Sequence, residues 1–241
     1  VARKDIIADT SSAQEVNDFL GQARDLAVHA PKSGPAQGRL IFAMDATASR
    51  QPSWDTAAEI QAEMFEAVDG IGALDVQLVF FRGLSECKSS GWCRNAKSFR
   101  DYITKVSCRA GHTQIERVLA HVEREASDKK IDALIYVGDC IEENPDHLAP
   151  ITGKLGLKGV KAFMFQEGRD RDAAFAFGEI ARITGGAFMQ FDASAAQKLR
   201  DLLGAVASYA VGGVDALSVY QQKSGSADVL RLGHQLRKDR K

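Results

Sequence analysis

Apolar and polar positions along the chain fall into blocks whose period changes. Over residues 9–30, Val16, Phe19, Leu20, Ala23 and Ala27 recur at helical spacing, Ser11 or Ser12 stands where a cap is needed, and Glu15 lies in the first turn. The pattern predicts an amphipathic helix whose stripe packs on the rest of the protein. Residues 31–38 (PKSGPAQG) have the composition of a linker. Beyond them, apolar runs of strand length take turns with helical patterns. LIFAMD (40–45) predicts a buried strand, and residues from Pro52 to about Val68 a helix with Ile60, Met64, Phe65 and Val68 on one face. DVQLVFF (75–81) predicts the next strand. The polar stretch 82–95 predicts a hairpin with a short edge strand near Trp92. Helices are expected over 98–106 and 114–126, a strand over 131–139, a helix from Pro145 and a strand over 160–165. A helix over 173–183 closed by Gly185 and Gly186, a strand over 187–192 and a helix over 195–210 complete the series.

Continuous apolar strands alternating with helices indicate an α/β fold: a doubly wound, mostly parallel sheet with helices on both faces. The organisation expected is an N-terminal helix and linker (1–38), an α/β domain (39–210) and a C-terminal tail (211–241). The tail ends in RLGHQLRKDRK and reads as solvated and mobile after Tyr220. Composition adds exclusions. With 45% hydrophobic and 26% charged residues the chain is globular, and a net charge of -1 offers no global basic field for nucleic acid or anionic lipid. The apolar stretch 203–214 is too short to span a bilayer. VARKDIIADTSS has no apolar core like that of a signal peptide, and four cysteines are too few for a disulfide scaffold, so reduced thiols in the cytoplasm are expected. A zinc site that includes His112, or a Cys87–Cys93 disulfide, is the alternative state for Cys87, Cys93, Cys108 and Cys140.

In an open α/β sheet, ligands bind outside the carboxyl ends of the strands. The first strand leads there into Asp45-Ala46-Thr47-Ala48-Ser49, the fourth into Gly138-Asp139, and the loop before the long middle helix carries Gly111-His112-Thr113. Two carboxylates and three hydroxyls are hard oxygen donors suited to Mg²⁺.

DATAS after an apolar strand resembles the D-x-S-x-S motif of von Willebrand factor type A (vWA) domains; GHTQIERVL is similar to that family's Gly-x-Thr segment, and LIYVGD to its fourth-strand segment ending in Asp. The order and context fit from about Arg39 to Tyr209. The resemblance implies a metal-ion-dependent adhesion site in which Asp45, Thr47 (where the motif has Ser), Ser49, Thr113 and, through water, Asp139 hold Mg²⁺, or else Mn²⁺ or Ca²⁺. It implies a binding module, not an enzyme, whose partner is a protein presenting an acidic side chain. Arg50, Trp54 and His112 are expected on the partner side. Arg50, which the family does not usually place there, either helps to hold an acidic partner or weakens cation binding. Trp54 is either a contact anchor or packed on a neighbouring helix.

Two other readings stay open. Asp45 with Gly138-Asp139 also resembles haloacid-dehalogenase-type phosphotransferases, which makes a metal-dependent phosphohydrolase the alternative. There a second Asp, two residues after the first, is the acid/base; Thr47 cannot protonate a leaving group, at a typical cost of ~10²–10⁴-fold. The remaining reading is a scaffold with a degenerate metal site, in which Asp45 and Ser49 only cap the following helix.

Overall fold

A computed structural model describes residues 36–192 and 195–238. The helix expected over 9–30 and residues 31–35 of the linker lie outside the described residues. The strands are β1 (Gln37–Asp45), β2 (Ala73–Arg82), β3 (Glu86–Cys93), β4 (Ala133–Gly138), β5 (Lys161–Glu167) and β6 (Ala187–Phe191). The helices are α1 (Gln51–Ile60), α2 (Ala62–Glu66), α3 (Ala96–Ile103), α4 (Ile115–Asp128), α5 (Pro145–Leu157), α6 (Arg171–Thr184), α7 (Ala196–Ser224) and α8 (Ala227–Lys238). One sheet runs in the order β3-β2-β1-β4-β5-β6, parallel except for the antiparallel edge strand β3. This is the doubly wound architecture expected.

The central strands are apolar on both faces because both faces are covered. Leu40, Phe42 and Met44 of β1 enter one core with Trp54 and the α7 residues Leu202, Leu203 and Val206. Ile41 and Ala43 enter the other with Val118 and Leu119 of α4 and Phe177 of α6. That alternation follows from the two-residue period of a strand. β1 starts at Gln37, paired with Ala73, so two residues read as linker belong to the sheet. β3 is longer than a strand near Trp92. Its register shifts opposite Gln77 and Val79, and the Ser90 hydroxyl accepts the Leu78 N–H at 3.0 Å. Such a bulge hides the two-residue period that reveals a strand in sequence.

The C-terminal segment is not a solvated tail. α7 passes Ala210 and runs to Ser224, interrupted at Gly213, whose φ of 67° and ψ of -152° lie outside the range of other residues. α8 then folds back, burying Val229, Leu232 and Leu236 in the same core as β1. Gln235 also occupies the free edge of β6: its side-chain oxygen accepts the Phe188 N–H at 2.9 Å and its amide donates to the Phe188 carbonyl at 3.0 Å. Among the described residues, α7 is the helix long and apolar enough to cross a membrane by length and composition, yet 61% of its most apolar window is buried within the protein.

Candidate functional site

β1 carries Asp45 to the carboxyl edge of the sheet with its side chain wholly buried. One carboxylate oxygen, Oδ1, accepts the Thr47 N–H at 2.7 Å. The other, Oδ2, is buried with no hydrogen-bond partner among the described residues. Burial pushes the Asp45 carboxyl up from 3.8 to about 6; hydrogen bonds from the Thr47 backbone and side chain pull it down, Asp139 adds to the rise, and Arg50 lowers it. The strand end is fixed from below by Trp54, whose indole N–H donates to the Asp45 carbonyl at 2.7 Å.

Asp139 follows β4, the neighbour of β1, and comes within reach of the same turn. Its Oδ2 faces the Ser49 hydroxyl at 3.3 Å and an Arg50 nitrogen at 3.9 Å. Its Oδ1 is buried with no hydrogen-bond partner among the described residues. Asp45, Thr47, Ser49 and Asp139 thus form one cluster at the carboxyl ends of β1 and β4.

Thr113 is buried on the adjoining loop. That loop is tied to the first one, where the Ala46 carbonyl accepts the Arg109 N–H at 2.9 Å, and to the β2–β3 turn, where the Gly83 carbonyl accepts the His112 N–H at 3.1 Å. The approach needs Gly111, where a Cβ would collide with the Gly83 backbone. Gly111→Ala is therefore expected to displace the Thr113 loop and lower the thermal midpoint by several degrees, read by circular dichroism; an unchanged midpoint would show that the loop has room to shift.

Two carboxylates that the sequence did not single out hold Thr113 and the start of α4. Glu142 accepts the Thr113 N–H at 2.8 Å and lies 3.0 Å from His112 Nδ1, while the Glu142 N–H donates to the Thr113 hydroxyl at 2.9 Å. Glu143 accepts the N–H groups of Ile115 and Glu116 at 2.7 and 2.8 Å. It therefore caps α4, whose own N-cap residue, Gln114, makes no side-chain cap. Adjacent acids just past a strand that ends in Asp were the available signal.

Arg50, expected on the partner side, is buried instead, and Trp54 takes the packed alternative rather than that of a contact anchor. Arg50 is 1% exposed and its guanidinium lies 2.5 Å from Glu167, at the end of β5. Trp54 is 2% exposed, edge-on to Phe80. A large flat side chain one turn into α1 is drawn into the core, where the Asp45 carbonyl satisfies its single polar atom. His112 stays exposed.

All four cysteines are free. Cys87 and Cys93 lie on one strand, six positions or ~20 Å apart at ~3.3 Å per residue, so no disulfide can join them. Burial and nearby carboxylates push the Cys108 thiol up to about 11 and the Cys140 thiol up to about 12, opposite to what a thiolate ligand needs. Among the described residues, no three His, Cys, Asp or Glu side chains gather as a metal cluster. A cation at this edge would be held chiefly by hydroxyls, two carboxylates and water. That donor set suits a hard divalent ion, and the orphaned oxygens of Asp45 and Asp139 are what such an ion satisfies.

No protein-family model matches the chain, and no curated protein matches it. Solved structures do. A von Willebrand factor type A protein from Catenulispora acidiphila is similar with a TM-score of 0.62 at 15% identity, over 73% of this chain and 43% of that one. Proximal thread matrix protein 1 from the mussel byssus, in a form with a zinc-occupied MIDAS motif, is similar with a TM-score of 0.57 at 17% identity, over 82% of this chain and 53% of that one. The SpRpn10 VWA domain is similar with a TM-score of 0.52 at 10% identity, over 68% of this chain and 94% of that one. The chain spans less than half the length of the Catenulispora protein. The likeness establishes the fold: this is a vWA-like α/β chain.

Proposed function

We propose that the chain is a divalent-cation-dependent protein-binding module. Asp45, Thr47, Ser49, Thr113 and, through water, Asp139 would hold Mg²⁺. The observation that carries this reading is the pair of buried carboxylate oxygens on Asp45 and Asp139, at the carboxyl edge of the sheet, that have no hydrogen-bond partner among the described residues. A bound divalent ion supplies an electrophile that an external carboxylate can complete. The protein's part is to hold the donors in place: Thr47 N–H orients Asp45, and the Thr113–Glu142 bracket fixes the second loop. The zinc-occupied motif of the byssus protein supports a divalent ion on this fold. The partner proposed is a protein loop presenting Asp or Glu. The four free cysteines fit the reducing cytoplasm in which we place the protein.

The module is read as non-enzymatic, because Thr47 stands where a phosphohydrolase using Asp45 would need its acid. Turnover of an aryl phosphate in Mg²⁺ that Asp45→Asn abolishes would reverse that reading. A scaffold that takes no metal has Arg50 in its favour, a resident cation 3.9 Å from Asp139. The test is partner capture from native lysate in Mg²⁺, in chelator and in raised salt. Capture is expected to be lost in chelator, weakened less by salt, and reduced severalfold by Thr113→Ala, because a coordinated carboxylate is not screened like a surface ion pair. Capture indifferent to chelator but lost in salt would leave a plain electrostatic surface.

A further inference from the structure

Arg50 closes the turn that carries Thr47 and Ser49, and its guanidinium is sealed from solvent. A buried guanidinium needs compensating charge. Two carboxylates supply it unequally. One terminal nitrogen lies 2.5 Å from Glu167 Oε2, and the other lies 3.9 Å from Asp139 Oδ2. Neither Arg50 Nε nor the terminal nitrogen nearest Glu167 makes a hydrogen bond of good geometry among the described residues, so the pair is held by charge. Glu167 is held from its other side by Ser53 in the first turn of α1, whose hydroxyl donates to the same oxygen. The pair therefore joins the turn after β1 to the end of β5 and passes beside Asp139 at the end of β4.

We propose that Arg50 and Glu167 form a charge clamp that sets the divalent-cation affinity of the edge, with Glu167 neutralising the guanidinium and holding it off Asp139. The inference rests on the cation-site reading above and assigns to two further residues the tuning of that site. With the pair intact, its charges cancel, and Asp45 and Asp139 are left to meet a dication. Without the Glu167 charge, the full positive charge of Arg50 stands beside Asp139 and opposes the incoming ion. Without both charges, the balance returns to that of the intact pair. The two substitutions should therefore compensate, which a purely structural role would not produce.

The experiment is calorimetric titration of wild type, Glu167→Gln and Arg50→Met/Glu167→Gln with Mn²⁺, with each thermal midpoint in chelator as the check on folding. Glutamine keeps the shape of Glu167 and its bond to Ser53, so the single variant should stay folded. One unit charge at several ångströms changes the affinity for a dication by about tenfold even under water-like screening. Glu167→Gln is thus expected to weaken Mn²⁺ binding about tenfold, and the double variant to recover to within about threefold of wild type. Binding by wild type that Glu167→Gln leaves unchanged overturns the clamp alone. A double variant weaker than the single one does the same. A wild type that takes up no Mn²⁺ overturns the cation-site reading and the clamp with it.

Discussion

In chelator at pH 7, Asp45→Asn should melt higher than wild type, and in millimolar Mg²⁺ the order should reverse. The Asp45 carboxyl is raised from 3.8 to about 6, chiefly by burial. A folded-state value above the unfolded one contributes stability that is fully present below about pH 4 and is lost as pH rises through about 6. At pH 7 the ionised side chain therefore costs the cation-free fold up to about 3 kcal/mol, at ~1.4 kcal/mol per pH unit. Asparagine keeps an oxygen for the Thr47 N–H and removes the charge, at the expense of an amide group without a partner. A net gain of about 1 kcal/mol is expected, a few degrees in midpoint and smaller than the stabilisation a bound cation gives wild type. The difference from wild type should close as pH falls to about 4. Mg²⁺ at a hundredfold excess over its dissociation constant should stabilise wild type by about 2.7 kcal/mol and the variant hardly at all. Na⁺ at matched ionic strength should do neither. A wild-type midpoint indifferent to Mg²⁺ would remove the support for a cation, and a variant less stable than wild type in chelator would show that the Asp45 charge is compensated within the protein.

The parts of the fold that sequence discloses are those whose cause is local. The runs in β1, β4 and β5 are buried on both faces, so their apolar content needs no partner to be recognised. Asp45 and Asp139 are legible for the same reason, since a carboxylate closing such a run has to lie at the sheet edge. The burial of Arg50, and the choice between the two readings of Trp54, are not legible because their surroundings come from other segments. Glu167 compensates the charge of Arg50, and the Asp45 carbonyl accepts the indole proton; neither can be read from residues 50–54 alone. The roles of Glu142 and Glu143 depend likewise on a loop 28 or 29 positions earlier. In the tail, basic residues outweighed a pattern that was present: Val229, Leu232 and Leu236 recur at helical spacing, and each is buried.

Leu232→Ala is accordingly expected to destabilise the protein by about 2–5 kcal/mol, the usual effect of emptying a wholly buried leucine site. A solvated tail would give a change within about 0.5 kcal/mol. Arg231→Ala, next in sequence but exposed and joined to Asp228 through a surface pair, supplies the control and should stay within that smaller range. Both are read by urea unfolding, where a shifted midpoint at constant slope reports stability. Removing α8 altogether, by ending the chain at Gly225, should do more than weaken the core. It withdraws Gln235 from the Phe188 backbone and leaves the outer edge of β6 open to pairing with another chain. The truncated protein should therefore aggregate at concentrations where Leu232→Ala remains soluble, seen as early elution in size exclusion. If truncation instead leaves a soluble monomer of wild-type midpoint, α8 does not close that edge, and the packing of Val229, Leu232 and Leu236 contributes little to the fold.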